Sequence, residues 1–87
     1  MKNRATPDFW RCYAKLPKKI QRLADKCFDL FKTDAAHPSL QFKRVGKLRS
    51  VRISLNFRAL AVQKGRNLIW FWIGNHDSYE KLIGSTP

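Results

Sequence analysis

The chain has 87 residues, 44% hydrophobic and 13% aromatic, with 18 Lys and Arg against six Asp and Glu, a net charge of +12. That length allows one domain, residues 1–87, with an economical core and self-repulsion that a polyanionic partner would relieve. Two cysteines and two distant histidines give no metal-ligand spacing, and the longest apolar run is too short to span a bilayer, so no metal, cofactor or membrane is expected.

Thr6-Pro7-Asp8 reads as a helix start: a capping hydroxyl, a proline at the first helical position and an acid in the first turn. Phe9, Cys12, Tyr13 and Leu16 follow at helical spacing. Pro17 ends that helix and opens a second, which runs to Phe31 or Thr33. Its apolar stripe is Ile20, Leu23, Ala24, Cys27, Leu30 and Phe31, and its other face is charged. The two form an antiparallel hairpin. Cys12 and Cys27 lie on the apolar faces and read as reduced core thiols. No apolar stretch follows Met1-Lys2-Asn3-Arg4, so a cytoplasmic location is expected.

Residues 33–39 form a loop, in which Pro38 drives His37 toward extended geometry. From Leu40 the period changes to two. Strands are predicted over Leu40–Lys43, Leu48–Ser54, Phe57–Gln63 and Leu68–Ile73, with a tight turn at Lys64-Gly65-Arg66-Asn67. The last strand is six large apolar residues, half of them aromatic, and reads as buried on both faces. Asp77-Ser78-Tyr79-Glu80 resembles a capping box for a short terminal helix carrying Tyr79, Leu82 and Ile83, before a frayed end from Gly84. The residues at or before Arg4 to Thr6 could add an edge strand. The predicted class is α+β: an N-terminal helical hairpin packed on an antiparallel sheet of three or four strands, with a short C-terminal helix.

The four glycines are scattered, so there is no phosphate loop. Ser78, His76 and Asp77 are too close in sequence for a nucleophilic relay. What remains is a basic set: Lys43 and Arg44 on the first strand, Arg49 and Arg52 on the second, Arg58 on the third. His76 and Tyr79 stand at the end of the last strand. Cleaving RNA through its own 2′-hydroxyl needs removal of that proton, charge relief on the phosphate and a proton for the leaving 5′-oxygen. Arg and Lys serve the second need, and His or a Tyr beside cations the others. The bland alternatives are an Arg58 that snorkels from a sheet edge, a His76 that caps the helix and a Tyr79 that packs inward. Trp70 and Trp72 read as core.

The order of helical hairpin, His37-Pro38-Ser39-Leu40-Gln41-Phe42-Lys43, Ser50-Val51-Arg52-Ile53, Phe57-Arg58-Ala59-Leu60 and Ile69-Trp70-Phe71-Trp72-Ile73-Gly74-Asn75-His76-Asp77-Ser78-Tyr79 resembles the RelE/ParE superfamily of type II toxin–antitoxin toxins. The likeness covers nearly the whole chain and is greatest to the ParE-like branch with a tryptophan-rich last strand. It implies two helices on a twisted antiparallel sheet. It also implies one of two activities: a ribosome-associated mRNA endoribonuclease of the RelE type, or a non-enzymatic ParE-type toxin that inhibits DNA gyrase. By resemblance, Arg58 would act on the phosphate, Lys43 falls near the family's basic positions, and His76 and Tyr79 fall at its late catalytic positions; the strand reading adds Arg44, Arg49 and Arg52 to Lys43 as RNA phosphate-binding residues. The partners implied are an acidic antitoxin together with ribosome and mRNA, or gyrase. The chain departs from the family pattern at Arg49, where an aromatic is frequent, at Phe57, where Tyr is common, and in the short connection Val45-Gly46-Lys47-Leu48.

Overall fold

A computed structural model describes residues 2–84. Strand β1 (Lys2–Ala5) leads into helices α1 (Pro7–Ala14) and α2 (Lys18–Thr33), then a single 3-10 turn (Pro38–Leu40). Strands β2 (Lys43–Val45), β3 (Leu48–Ser54), β4 (Phe57–Lys64) and β5 (Asn67–Asn75) follow, and helix α3 (His76–Gly84) closes the chain. The predicted α+β class and helical hairpin are present.

The caps explain the helix boundaries. Thr6 Oγ1 accepts the Phe9 N–H at 3.1 Å, and Pro7 then occupies the first helical position without loss of a bond. Pro17, in extended geometry, is the N-cap of α2. The hairpin is antiparallel: the Phe9 and Phe28 rings lie 5.8 Å apart, and the Tyr13 hydroxyl donates to Asp25 at 2.8 Å.

The sheet has five strands in the order β1-β5-β4-β3-β2. The expected edge strand exists, but it runs parallel to β5, so the sheet is mixed rather than antiparallel throughout. Its ladder extends through the Thr6 N–H, which donates to the Trp70 carbonyl at 2.9 Å, and stops at Pro7, which has no N–H to donate.

Two further boundaries differ from the sequence reading. The strand expected at Leu40–Lys43 starts only at Lys43. Before it, His37 Nδ1 accepts the Ser39 N–H and starts a 3-10 turn, which Gln41 ends with a left-handed φ of 42°. The period of two in this stretch arose because Leu40 and Phe42 both reach the core, Phe42 against Phe31 at 4.9 Å. At the other end, β5 continues to Asn75, and the Asn75 side chain, not Asp77, accepts the Ser78 N–H at 2.8 Å. Gly84 ends α3, and the rest of the predicted frayed terminus lies outside the described residues.

On one sheet face the helices bury Phe9, Ala24, Cys27 and Phe31 against Val51, Ala59, Ala61 and Trp70. Ala59 and Ala61 are fully buried, and their small side chains leave room for the helical aromatics. Each large side chain buried here contributes about 1.5–3 kcal/mol. Cys27 donates its S–H to the Arg52 carbonyl at 3.3 Å. A bulge then sets the other face. Leu60 pairs with Trp72 and Ala61 with Trp70, so Phe71 is the extra residue in β5. Trp70 therefore points under α2, 5.0 Å from Phe28, whereas Trp72 shares the opposite face with Leu60. Arg58 pairs with Gly74 on that second face, and α3 packs over it.

A Cβ at Gly74 would lie 2.5 Å from Trp72 Cζ2. Gly74→Ala should therefore cost about 1–3 kcal/mol in urea unfolding. An unchanged midpoint would mean that the indole moves freely.

Burial pushes the Cys27 thiol up to about 11, from an ordinary 9.0. The folded state thus favours the neutral thiol. Its contribution is complete below pH 9 and is lost as pH rises toward about 11. Replacing Cys27 with Ala should flatten the stability decline in that window, measured by denaturation at a series of pH values, although the variant starts from lower stability.

Candidate functional site

The second sheet face collects charge without neutralising it. Strand alternation places Arg58 beside Ser50 and directly opposite Arg52 across the β3–β4 ladder. Like charges directly opposite in a ladder are destabilising. Arg58 is only 5% exposed. Its Nε donates to Ser50 Oγ at 2.9 Å and its Nη2 to the Gln41 carbonyl at 3.2 Å. The guanidinium carbon sits 5.1 Å from the centroid of the Tyr79 ring, a cation–π stack. Among the described residues no carboxylate forms an ion pair with Arg58 or Arg52.

Tyr79 is carried one turn into α3 and is 1% exposed. Its hydroxyl is buried and has no hydrogen-bond partner among the described residues. The His76 ring lies 5.7 Å from the Tyr79 ring and is itself exposed, with Nε2 3.4 Å from Glu80 Oε1. The His76 N–H donates to the Asn56 carbonyl at 2.7 Å, which ties the start of α3 to the β3–β4 turn. Arg58, Tyr79 and His76 thus lie in a row, with Tyr79 in the middle and the His76 ring tilted 46° to it.

The expected phosphate-binding residues divide by face. Lys43 pairs with Ser50, so Lys43 and Arg52 share the face of Arg58. Arg44 pairs with Arg49, and Arg49 with Ala61, which puts both on the helix side of the sheet. There Arg44 donates to the Gly46 carbonyl at 3.3 Å and Arg49 to the Leu48 carbonyl at 3.2 Å. The structure places Lys43 and Arg52 on the sheet face that carries Arg58 and puts Arg44 and Arg49 on the other. Two groups that touch Arg58 escaped the sequence reading, Ser50 and the Gln41 carbonyl. Nothing in the sequence marks a buried strand serine or a backbone carbonyl as a partner.

A second feature lies on the other side of the molecule. Phe9, Trp10, Tyr13, Phe28 and Trp70 line a groove between β1 and the two helices, and Trp10 is 55% exposed. Desolvation, with the hydrogen bond to Asp25 and its charge adding to it, raises the Tyr13 phenol above its ordinary range. No group of three or more His, Cys, Asp or Glu among the described residues could hold a metal ion. No helix among them is long and apolar enough to cross a membrane.

The sequence model of the ParE-like toxin domain matches residues 18–81, most of the chain, from α2 through β2 to β5 and α3 up to Lys81. No curated protein matches. Several solved structures share the fold. The antitoxin–toxin complex RelB–RelE from Methanococcus jannaschii matches with a TM-score of 0.72 at 12% identity, over 91% of this chain and 96% of that one. YafQ from E. coli strain BL21(DE3) matches with a TM-score of 0.71 at 7% identity, over 90% and 96%. A YoeB/ParE toxin from Agrobacterium tumefaciens matches with a TM-score of 0.65 at 15% identity, over 87% and 99%. At these identities the likeness is one of fold.

The Tyr79 hydroxyl is buried with no bond to a described residue, an arrangement that opposes folding. Tyr79→Phe should therefore leave stability unchanged or raise it by about 1 kcal/mol in urea unfolding. A loss of similar size would show that the hydroxyl has a partner in solution.

Proposed function

The chain belongs to the ParE-like toxin domain family of the RelE/ParE superfamily, and from that membership we propose that it is the toxin of a toxin–antitoxin module that cuts mRNA at the ribosome. The observation that carries this reading is a buried guanidinium with no carboxylate on it among the described residues, set opposite a second guanidinium. A buried charge without a counter-charge is costly, so a bound anion would stabilise what the free fold leaves strained. A phosphodiester fits: it is a singly charged group whose two free oxygens suit planar guanidinium donors.

In this reading Arg58 and Arg52 hold the phosphate, and Lys43 adds to the field along the same face. The substrate's 2′-oxygen attacks phosphorus and the 5′-oxygen departs, which leaves a 2′,3′-cyclic phosphate and a 5′-hydroxyl. His76, accessible at the start of α3, moves the proton: neutral, it takes it from the 2′-hydroxyl, and as imidazolium it returns one to the 5′-oxygen. Glu80 orients the ring. Tyr79, buried against the Arg58 guanidinium, backs that group with its ring. The arginines stabilise charge that grows on the phosphate oxygens in the transition state.

The partner that restrains such a toxin would be acidic, to match a surface of +12. That one of the solved relatives is an antitoxin–toxin complex supports a partner of this kind. One observation favours a second reading, inhibition of a protein such as gyrase: the aromatic groove that exposes Trp10 suits a protein contact better than RNA.

Expression in a bacterial host, followed by primer extension on bulk mRNA, separates the two readings. Cleavage is expected from the parent. Arg58→Ala should cost roughly 2–4 kcal/mol of transition-state stabilisation, and His76→Ala roughly a hundredfold to ten-thousandfold in rate. The double variant should lose less than the product of the single losses, because both act on one phosphate. Toxicity without mRNA cleavage, unchanged in the double variant and abolished by Trp10→Ala, would establish the protein-target reading instead.

A further inference from the structure

Among the described residues the buried polar and charged side chains are Ser50, with no exposure, and Arg58, and they bond to each other. The other acceptor on Arg58 is equally unusual. Gln41 is the one non-glycine among the described residues with a positive φ, at 42°, and it is the carbonyl of that residue that takes the Nη2 proton. A left-handed backbone is unfavourable for Gln and persists where its surroundings over-determine it. Here the 3-10 turn capped by His37 delivers the chain to Gln41, and the buried Leu40 anchors it.

We propose that Ser50 Oγ and the Gln41 carbonyl form a clamp that fixes the plane of the Arg58 guanidinium, and that both are positioning residues for the phosphodiester. The inference rests on the RNA-cleaving reading and says how its central cation is held. Three contacts define the plane: Nε to Ser50, Nη2 to Gln41, and one face on the Tyr79 ring. Nη1 carries no hydrogen bond to a described residue and is left as the donor for an anion. Rotation about Cδ–Nε would break both bonds. Without the clamp the guanidinium could swing away from Arg52, which repels it, and the shared anion would lose its two-sided grip.

The test uses the purified full chain and four variants. Ser50→Ala removes the acceptor and Ser50→Thr restores a hydroxyl. Gln41→Gly keeps the left-handed backbone, whereas Gln41→Val disfavours it. Three quantities are read: exchange of the Arg58 Nε proton by nitrogen-edited NMR, kcat and KM for cleavage of ribosome-bound mRNA, and the urea midpoint. The clamp predicts that Ser50→Ala and Gln41→Val speed Nε exchange about tenfold or more. It also predicts a kcat roughly ten- to a hundredfold lower at nearly constant KM, with Ser50→Thr and Gln41→Gly close to the parent. Parent-like exchange and kcat in Ser50→Ala overturns the clamp. So does a loss that tracks the urea midpoint and is not restored by Ser50→Thr, since that is a packing effect. If the parent itself cuts no mRNA, the nuclease reading fails, and the clamp is decided by Nε exchange and by the Arg58 resonance shift on adding inorganic phosphate. Identical behaviour in parent and Ser50→Ala then overturns it as well.

Discussion

The extra residue in β5 governs the layout of both sheet faces. Side chains in a strand alternate, so Trp70 and Trp72 would normally share a face. The bulge at Phe71 sends them to opposite sides, Trp70 into the aromatic core with Phe28 and Phe31, and Trp72 beside Leu60. The same shift returns Ile73 to the helix side and leaves Gly74 opposite Arg58. Gly74 has no side chain, so the Trp72 ring can lie over it. Asn75 then follows in the right place to cap α3, and α3 carries Tyr79 onto the Arg58 guanidinium. Regular alternation would have put Trp72 in the helical core and turned Gly74 away from Arg58.

Features that weaken the fold are concentrated around this one place. Two guanidiniums face each other across a ladder, a phenol is buried without a partner among the described residues, and a glutamine is held left-handed. Each opposes folding, and the aromatic core on the other face offsets them. Under the proposed RNA-cleaving reading, a bound anion would offset these terms. Elsewhere the chain is conventional: capped helices, a hairpin turned at Gly65 with φ of 59°, and alanines where helices approach the sheet.

Much of this was legible. Thr6-Pro7 marked α1, the stripe from Ile20 to Phe31 marked α2, and the apolar run from Leu68 marked β5, although that strand buries Leu68, Trp70 and Ile73 and leaves Ile69, Phe71 and Trp72 half-buried rather than buried on both faces. The errors have physical causes. The start of β2 was displaced because Leu40 and Phe42 are both buried while the backbone between them turns left-handed, so apolar spacing mimicked a strand. The cap of α3 was displaced because Asn75 and Asp77 are both capable caps, and strand pairing with Phe57 holds the backbone as far as Asn75. The division of the basic residues depends on register. The two-residue turn at Gly46, with φ of 58°, pairs Val45 with Leu48 and sends Lys43 and Arg52 to one face, Arg44 and Arg49 to the other. Sequence alternation alone does not give that register, nor the Ser50 and Gln41 contacts.

Thermal unfolding in phosphate against chloride, at matched ionic strength, tests most directly whether the Arg52–Arg58 pair is an anion site. Arg52→Ala relieves the repulsion and leaves Arg58 in place. The account predicts that phosphate raises the parent Tm by several degrees, because an anion that binds only the native state stabilises it, and that about 1 kcal/mol moves Tm by roughly 4–8 °C in a domain this small. It predicts that Arg52→Ala melts at or above the parent in chloride and gains much less from phosphate. An equal gain in both proteins, or an Arg52→Ala variant less stable than the parent in chloride, would contradict it.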